Sequence, residues 1–151
     1  MEVGIINYGS GNIGNVTRSL RALNVNYKII NKLSDFKKIL PGQGAFKSAI
    51  ENLKKSGVYN KIIEHNNDEK PILAICLGMQ LLFYNSDEFM NCEGLKLLSG
   101  EVKKLNVKNM PSPIIGWYKI FNLNKTNNNP VFNKDSLNKY YYFAHSMYCL
   151  L

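Results

Sequence analysis

The sequence predicts an α/β protein built on a doubly wound, mostly parallel sheet. Short apolar runs alternate with stretches of helical periodicity through its first half, at a spacing that suits parallel strands joined by crossover helices. Right-handed crossovers then place helices on both faces. Three of the runs end in small-residue turns, at Tyr8-Gly9, Pro41-Gly42 and Cys76, and in a parallel sheet those ends share the edge where ligands bind.

Val3 to Asn7 is a first strand that stops at Tyr8-Gly9-Ser10-Gly11. From Asn12 to Leu23, apolar residues recur at Ile13, Val16, Leu20 and Leu23, the spacing of one helical face. Asn24 ends that helix, and Val25 to Ile30 is a second strand. Ser34 and Asp35 are turn or capping residues before Phe36 to Leu40. This third strand carries Lys37 and Lys38, a costly choice for a sheet interior unless the ammonium groups reach solvent. After Pro41-Gly42-Gln43-Gly44, Ala45 to Lys55 is a helix closed by Gly57, and Val58 to His65 is a further helical piece. Ile72 to Ile75 reads as a fully buried strand, and Leu77 to Tyr84 as the helix behind it. The second half changes character. Gly100 to Val107 and Ile114 to Leu123 look like strands of a mixed or antiparallel region, Asn124 to Asn129 is a polar loop, and Tyr140-Tyr141-Tyr142-Phe143 is an aromatic strand leading into Ala144-His145-Ser146. No repeat and no linker interrupts the chain, so residues 1–151 are read as a single domain.

Composition excludes several classes. With 45% hydrophobic residues the chain is globular rather than disordered. No apolar stretch is long enough to span a bilayer, and Met1-Glu2-Val3-Gly4-Ile5-Ile6 lacks a signal peptide's basic flank and cleavage site. No membrane partner is expected, and a cytoplasmic location follows by default. Three cysteines, Cys76, Cys92 and Cys149, give an odd count without C-x-x-C spacing, which argues against a disulfide framework and against a zinc site. No metal and no cofactor is expected. The net charge of +8 raises the question of nucleic acid, yet only Arg18 and Arg21 are arginines and the lysines are scattered, so no nucleic-acid partner is expected.

The segment with the most chemistry is Pro71-Ile72-Leu73-Ala74-Ile75-Cys76-Leu77-Gly78-Met79-Gln80. An apolar strand, a sharp turn and a helix start form a nucleophile elbow, which pushes the turn side chain out of the sheet's end. The bland alternative is a buried structural thiol. Gly78 lets the helix begin close to the sheet, and the Leu77 N–H is placed to donate to a developing oxyanion. Pro41-Gly42-Gln43-Gly44 is either an ordinary tight turn or an oxyanion loop whose backbone amides no side chain obstructs. Gly9-Ser10-Gly11-Asn12-Ile13-Gly14 matches G-x-G-x-x-G, but no carboxylate follows the second strand at Asn31-Lys32 to hold a ribose. His65 reads as a solvated loop residue. His145 is either the base for Cys76 or a group that orients neighbouring backbone.

Taken together, Tyr8-Gly9-Ser10-Gly11-Asn12, Pro41 to Gly44, Cys76-Leu77-Gly78-Met79-Gln80, Ile115-Gly116-Trp117 after Met110-Pro111, and Phe143-Ala144-His145-Ser146 resemble the class I (triad) glutamine amidotransferases, over essentially the whole chain. The resemblance implies a flavodoxin-like fold and a thiol that hydrolyses glutamine to glutamate and ammonia. The ammonia passes to a separate (β/α)₈-barrel synthase subunit that builds the imidazole ring of histidine. Cys76 is then the nucleophile, with Gln43, Gly44 and Leu77 forming the oxyanion hole. Gly42, Gln80, Glu88, His145, Ser146 and Met147 bind glutamine, and Asn12, Asn15 and Trp117 face the partner.

Three departures from the family pattern accompany it. The family's base lies in a later His-Pro-Glu motif, and neither His65 nor His145 is followed by Pro-Glu, so the chain is expected to be C-terminally truncated and inactive alone. The strand before Pro41 is short and carries lysines, which together with the lost C-terminal strands predicts a weakened sheet with an exposed edge. Gln43 stands where a small apolar residue is usual. Two alternatives stay open: a paralogue supplying ammonia to a nucleotide-sugar or surface-glycan pathway, and a docking module without chemistry.

Overall fold

The structure, a computed structural model, describes residues 2–31, 37–67, 71–106, 112–120, 136 and 139–151. Their elements, in chain order, are β1 (Glu2–Ile6), α1 (Ile13–Ala22), β2 (Asn26–Ile30), β3 (Lys37–Leu40), α2 (Phe46–Lys55), α3 (Tyr59–Asn67), β4 (Ile72–Ala74), α4 (Leu77–Gln80), β5 (Asn85–Ser86), β6 (Cys92–Glu93), β7 (Glu101–Lys104), β8 (Ile114–Lys119), β9 (Tyr140–His145) and β10 (Met147–Leu150). The turn expected at Ser34 and Asp35, the start of the third strand at Phe36, and Asn124 to Asn129 lie outside the described residues, as do Met110 and Pro111. Two compact units divide the chain. The first spans Met1–Lys103 with Cys149–Leu151, and the second spans Lys104–Tyr148.

In the first unit, β1 pairs in parallel with β2 and β3, and β4 extends the sheet beyond β3, giving the order β2-β1-β3-β4. The register puts Ile5 opposite Ile29 and Ile39, and Ile39 opposite Leu73. Because strand side chains alternate, Val3, Ile5 and Ile39 share one face. They form a core with Leu20 of α1, and Ile13 and Val16 pack beside it. The expected apolar spacing of that helix holds at Ile13, Val16 and Leu20 and fails at Leu23, which follows the helix and is 71% exposed. Each such aliphatic side chain, once buried, contributes about 1.5–3 kcal/mol relative to exposure. Asn12 caps α1, accepting from the Asn15 N–H at 2.9 Å.

The alternation that directs Ile39 to the α1 face directs Lys38 to the other. Lys38 does not reach solvent, being only 2% exposed, and its ammonium donates to His65 Nδ1 on α3 at 3.0 Å. This overturns the reading of His65 as a solvated loop residue: α3 runs through it to Asn67, and the ring is buried. A buried ammonium needs a polar partner, and the imidazole is one. Helices α2 and α3 bury Phe46, Ala49, Ile50, Leu53 and Ile62, and Val58 between them is buried too.

Two further expectations are corrected. The Ile72 to Ile75 run is not fully buried, since Leu73 is 48% and Ile75 40% exposed. Among the described residues β4 has β3 as its one strand neighbour, so it is an edge. The helix behind Cys76 stops at Gln80 instead of continuing to Tyr84. Past Gln80 the helical bonding breaks down: Leu82 N–H donates to Met79 O and Phe83 N–H to Gln80 O, each three residues back, and Tyr84 N–H donates to the distant Gly100 O. Beyond it, β5 pairs antiparallel with β6 and parallel with β7.

The second unit is built on the antiparallel pair β8–β9, with Trp117 opposite Tyr142 and Gly116 opposite Phe143. Ile115, Trp117, Tyr140 and Tyr142 stand exposed, whereas Ile114, Gly116, Tyr141 and Phe143 are half-buried, the period-two pattern of a sheet with one solvated face. The Trp117 and Tyr142 rings meet edge to face, 5.7 Å between centroids.

Candidate active site

Cys76 occupies the turn between β4 and α4 with φ 54° and ψ −119°, a backbone conformation that a non-glycine residue adopts only under strain. Such strain, of order 1–3 kcal/mol, persists where the surroundings over-determine it. Here they do. Ile75 N–H donates to Leu40 O at the end of the neighbouring strand, Gly78 N–H to Ile75 O, and Met79 and Gln80 N–H to Cys76 O. The elbow is thus pinned on both sides, its thiol is exposed, and the Leu77 N–H is the first amide of the short helix. The other two thiols differ in environment. Burial raises the pKa of Cys92 and of Cys149.

The turn after β3 packs directly against this elbow. A Cβ on Gly42 would collide with the Gly78 nitrogen and the Leu77 carbonyl carbon, and one on Gly78 would collide with the Leu40 carbonyl oxygen. Glycine at both positions is what lets the two backbones approach. Tyr8, buried at the end of β1, donates its O–H to Pro41 O at 2.8 Å. Burial holds the Tyr8 phenol well above its ordinary pKa. Gly44 has φ +100°, which turns the chain sharply between the exposed Gln43 and the start of α2. The three expected strand ends therefore do meet at one edge.

The glycine-rich loop joins them. A Cβ on Gly11 would lie 3.1 Å from Pro41 Cβ and 3.2 Å from Gly42 N. Asn52 of α2 donates from Nδ2 to Ser10 Oγ at 3.0 Å. An open polar recess lies between Ser10 to Asn12 and Gln43-Gly44. The Tyr8-Gly9 turn was expected at this edge, but the bond from its ring to Pro41, thirty-three residues away, and the role of Asn52, forty-two residues from Ser10, have no local pattern that marks them.

Of the expected glutamine-binding residues, Gln80 is buried within α4 and Glu88 is half-buried, with Oε2 accepting from the Phe46 N–H at 2.7 Å. His145, Ser146 and Met147 belong to the second unit. There His145 Nδ1 lies 2.8 Å from Met147 O, and Ser146 O accepts from the Leu105 N–H. That contact joins the His145 ring to the backbone two residues on. Asn12 and Asn15 are exposed at the start of α1, where Asn15 Oδ1 accepts from Arg18, and Trp117 is exposed on β8. Among the described residues, no cluster of three or more His, Cys, Asp or Glu is arranged to hold a metal ion, and no helix is long and apolar enough to cross a membrane.

A family model described as "Glutamine amidotransferase class-I" matches residues 4–149. The chain belongs to the class I glutamine amidotransferase family. Curated relatives narrow the place within it: the "Imidazole glycerol phosphate synthase subunit HisH" of Bacillus cytotoxicus is 37% identical over 97% of this chain and 70% of its own length. The HisH subunits of Prochlorococcus marinus (37% identical, 99% of this chain, 73% of theirs) and of Sulfurimonas denitrificans (36%, 98% and 73%) are similar. A solved structure titled "Crystal structure of glutamine amidotransferase" superposes with a TM-score of 0.63 at 17% identity, over 78% of this chain and 62% of that one, a likeness of fold. The chain thus spans about seven tenths of the curated relatives and under two thirds of the solved chain. The family and the fold class expected from the sequence are borne out, and the relatives' shared name supports the expected subunit.

Proposed function

We propose that this chain is the glutaminase subunit of an imidazole glycerol phosphate synthase, serving histidine biosynthesis with Cys76 as its nucleophile. The observation that carries the reading is the strained Cys76 elbow packed backbone to backbone against the Gly42 turn, which sets a thiol beside amides suited to an oxyanion. In this reading the Cys76 sulfur attacks the side-chain carbonyl of glutamine. The oxygen, as it becomes negative, is held by the Leu77 N–H and by amides of the Gln43-Gly44 turn. Collapse of the tetrahedral intermediate expels ammonia and leaves a glutamyl thioester, which water cleaves to glutamate and free thiol.

Gly42, Gln80 and Glu88 are proposed to hold the amino-acid head group, and the contacts proposed for His145, Ser146 and Met147 rest on the family resemblance. Asn12, Asn15 and Trp117 are proposed to meet a (β/α)₈-barrel cyclase subunit that consumes the ammonia. We read residues 1–151 as part of one amidotransferase domain, supported by a family model that runs through both compact units. A cytoplasmic location accords with that pathway.

We assign the base to neither histidine. His65 is buried against Lys38, and for His145, whose Nδ1 contacts the Met147 carbonyl, the ground is the family resemblance. In that family the base lies in a later His-Pro-Glu motif. The test is ammonia release from glutamine by the 151-residue chain with a barrel subunit present. The expected result is release far below that of a relative bearing His-Pro-Glu, together with co-purification of the two subunits. Efficient turnover by this chain sinks the assignment of the base, and failure to co-purify sinks the partner.

A docking role without chemistry is the second reading, favoured by the exposed Ile115, Trp117, Tyr140 and Tyr142 face. It predicts partner binding with no glutamine-dependent modification of Cys76.

A further inference from the structure

We propose that Glu88 is a positioning residue for the oxyanion turn, acting through the start of α2; the inference rests on the amidotransferase reading of that turn. The first amides of a helix have no partner within it and need an acceptor from elsewhere. At α2 the N-cap residue is Ala45, whose methyl accepts nothing, and the first turn carries no acidic side chain. Glu88, forty-two residues along the chain, fills the gap: its Oε2 accepts from the Phe46 N–H at 2.7 Å. That distance is typical of a charge-assisted bond, and a carboxylate at a helix N-terminus also complements the macrodipole.

The carboxylate is itself held in place. The Glu88 N–H donates to Oγ of Ser86, which is fully buried on β5. The Phe46 side chain, also fully buried, passes so near Gly94 that a Cβ there would lie 3.2 Å from its Cζ. The start of α2 is therefore fixed to the segment that follows the elbow helix.

This matters because the middle of the turn is open. Gln43 and Gly44 are exposed, and among the described residues a Cβ on Gly44 would meet no atom within 4 Å. Their amides are aimed from the turn's two ends. At the first end, Tyr8 holds the Pro41 carbonyl and Gly42 lies against Leu77 and Gly78. At the second end stands the Glu88 cap. The carboxylate proposed to meet the ammonium of glutamine also fixes the amides proposed to meet its oxyanion, so losing it affects both binding and the chemical step.

The experiment compares Glu88→Gln, Glu88→Ala and Glu88→Asp in the whole chain. A glutamine amide oxygen still accepts from Phe46 but lacks the charge, alanine supplies neither, and aspartate keeps the charge one methylene too short. Two readouts are taken: hydrogen exchange at the Phe46 amide, and inactivation of Cys76 by a diazo-ketone analogue of glutamine, which alkylates the thiol with loss of N₂. Exchange is expected to quicken about tenfold in the Ala and Asp variants and to stay near the wild-type rate in Gln. The limiting inactivation rate follows the same order, while the half-saturating analogue concentration rises in Gln and Ala, which lack the charge.

Equal Phe46 exchange in all four proteins overturns the proposal, as does a limiting rate that falls as far in Gln as in Ala. Should Ala fail to fold, Gln against Asp decides. If wild-type Cys76 does not react at all, the amidotransferase reading fails instead, while the exchange readout still decides the cap.

Discussion

In the parallel sheet Val3, Ile5, Ile39 and Leu40 are each less than a tenth exposed, whereas on one face of the β8–β9 pair Ile115, Trp117, Tyr140 and Tyr142 are 57–66% exposed. Both regions are rich in residues that favour strands, and they use them differently. Around β1 and β3, burial fixes the backbone so closely that glycine is needed where two chains meet, and that rigidity holds the Cys76 elbow. In the β8–β9 pair, aromatic rings pair across strands and still face solvent, an arrangement suited to a partner surface. Apolar side chains are packed away in one region and left at the surface in the other.

The comparison breaks most visibly if substitutions in the sheet cost no more than those in the pair. Lys38→Ala removes a long, fully packed side chain and strips His65 of the ammonium; chemical denaturation should show a loss of about 3 kcal/mol. A loss below about 1 kcal/mol means that the Lys38 site is not packed as described. Gly78→Ala drives a methyl into the Leu40 carbonyl and should cost about 2 kcal/mol, visible as a lowered Tm.

Tyr8→Phe deletes one buried hydrogen bond and should cost about 1 kcal/mol at neutral pH. Its pH dependence sharpens the assignment. The folded state holds Tyr8 protonated to higher pH than the unfolded chain, whose phenol titrates near 10. The contribution is therefore complete below about pH 10 and is lost as pH rises beyond it, so the gap between wild type and Tyr8→Phe should narrow in alkali. A gap that widens there contradicts the assignment. Trp117→Ala, which loses an exposed ring and its edge contact with Tyr142, should cost least, about 0.5–1 kcal/mol. A larger loss shows that the ring is buried in the protein as it exists in solution.

Much of this was legible from the chain. Strand and helix alternate visibly up to Gln80, and the Pro71 to Gln80 segment signals a strained elbow because its apolar run, small-residue turn and helix start are contiguous. What escaped depends on neighbours distant in sequence. An apolar run does not say how many strands flank it, so β4 read as fully buried, while among the described residues it stands at the edge of its sheet. Leu81 to Tyr84 continues the helix pattern, but the Tyr84 amide bonds to the distant Gly100 carbonyl instead of the one four residues back. The two-residue strands β5 and β6 are too short to carry a period. Lys38 and His65 each look solvent-bound alone and become compatible with burial only as a pair. Glu88 was expected at the site through the family resemblance, while its bond to Phe46 depends on a contact that local sequence does not announce.

The central claim is that Cys76 is a nucleophile set beside an oxyanion turn and ready for glutamine. The direct measurement is mass-spectrometric mapping of the protein after treatment with the diazo-ketone glutamine analogue, with and without excess glutamine, alongside Cys76→Ser. Cys76 is exposed at the elbow, while burial disfavours the thiolates of Cys92 and Cys149. One adduct per chain is expected, at Cys76, suppressed by glutamine and absent from Cys76→Ser. Adducts spread equally over the three cysteines, or an unmodified Cys76, would contradict it.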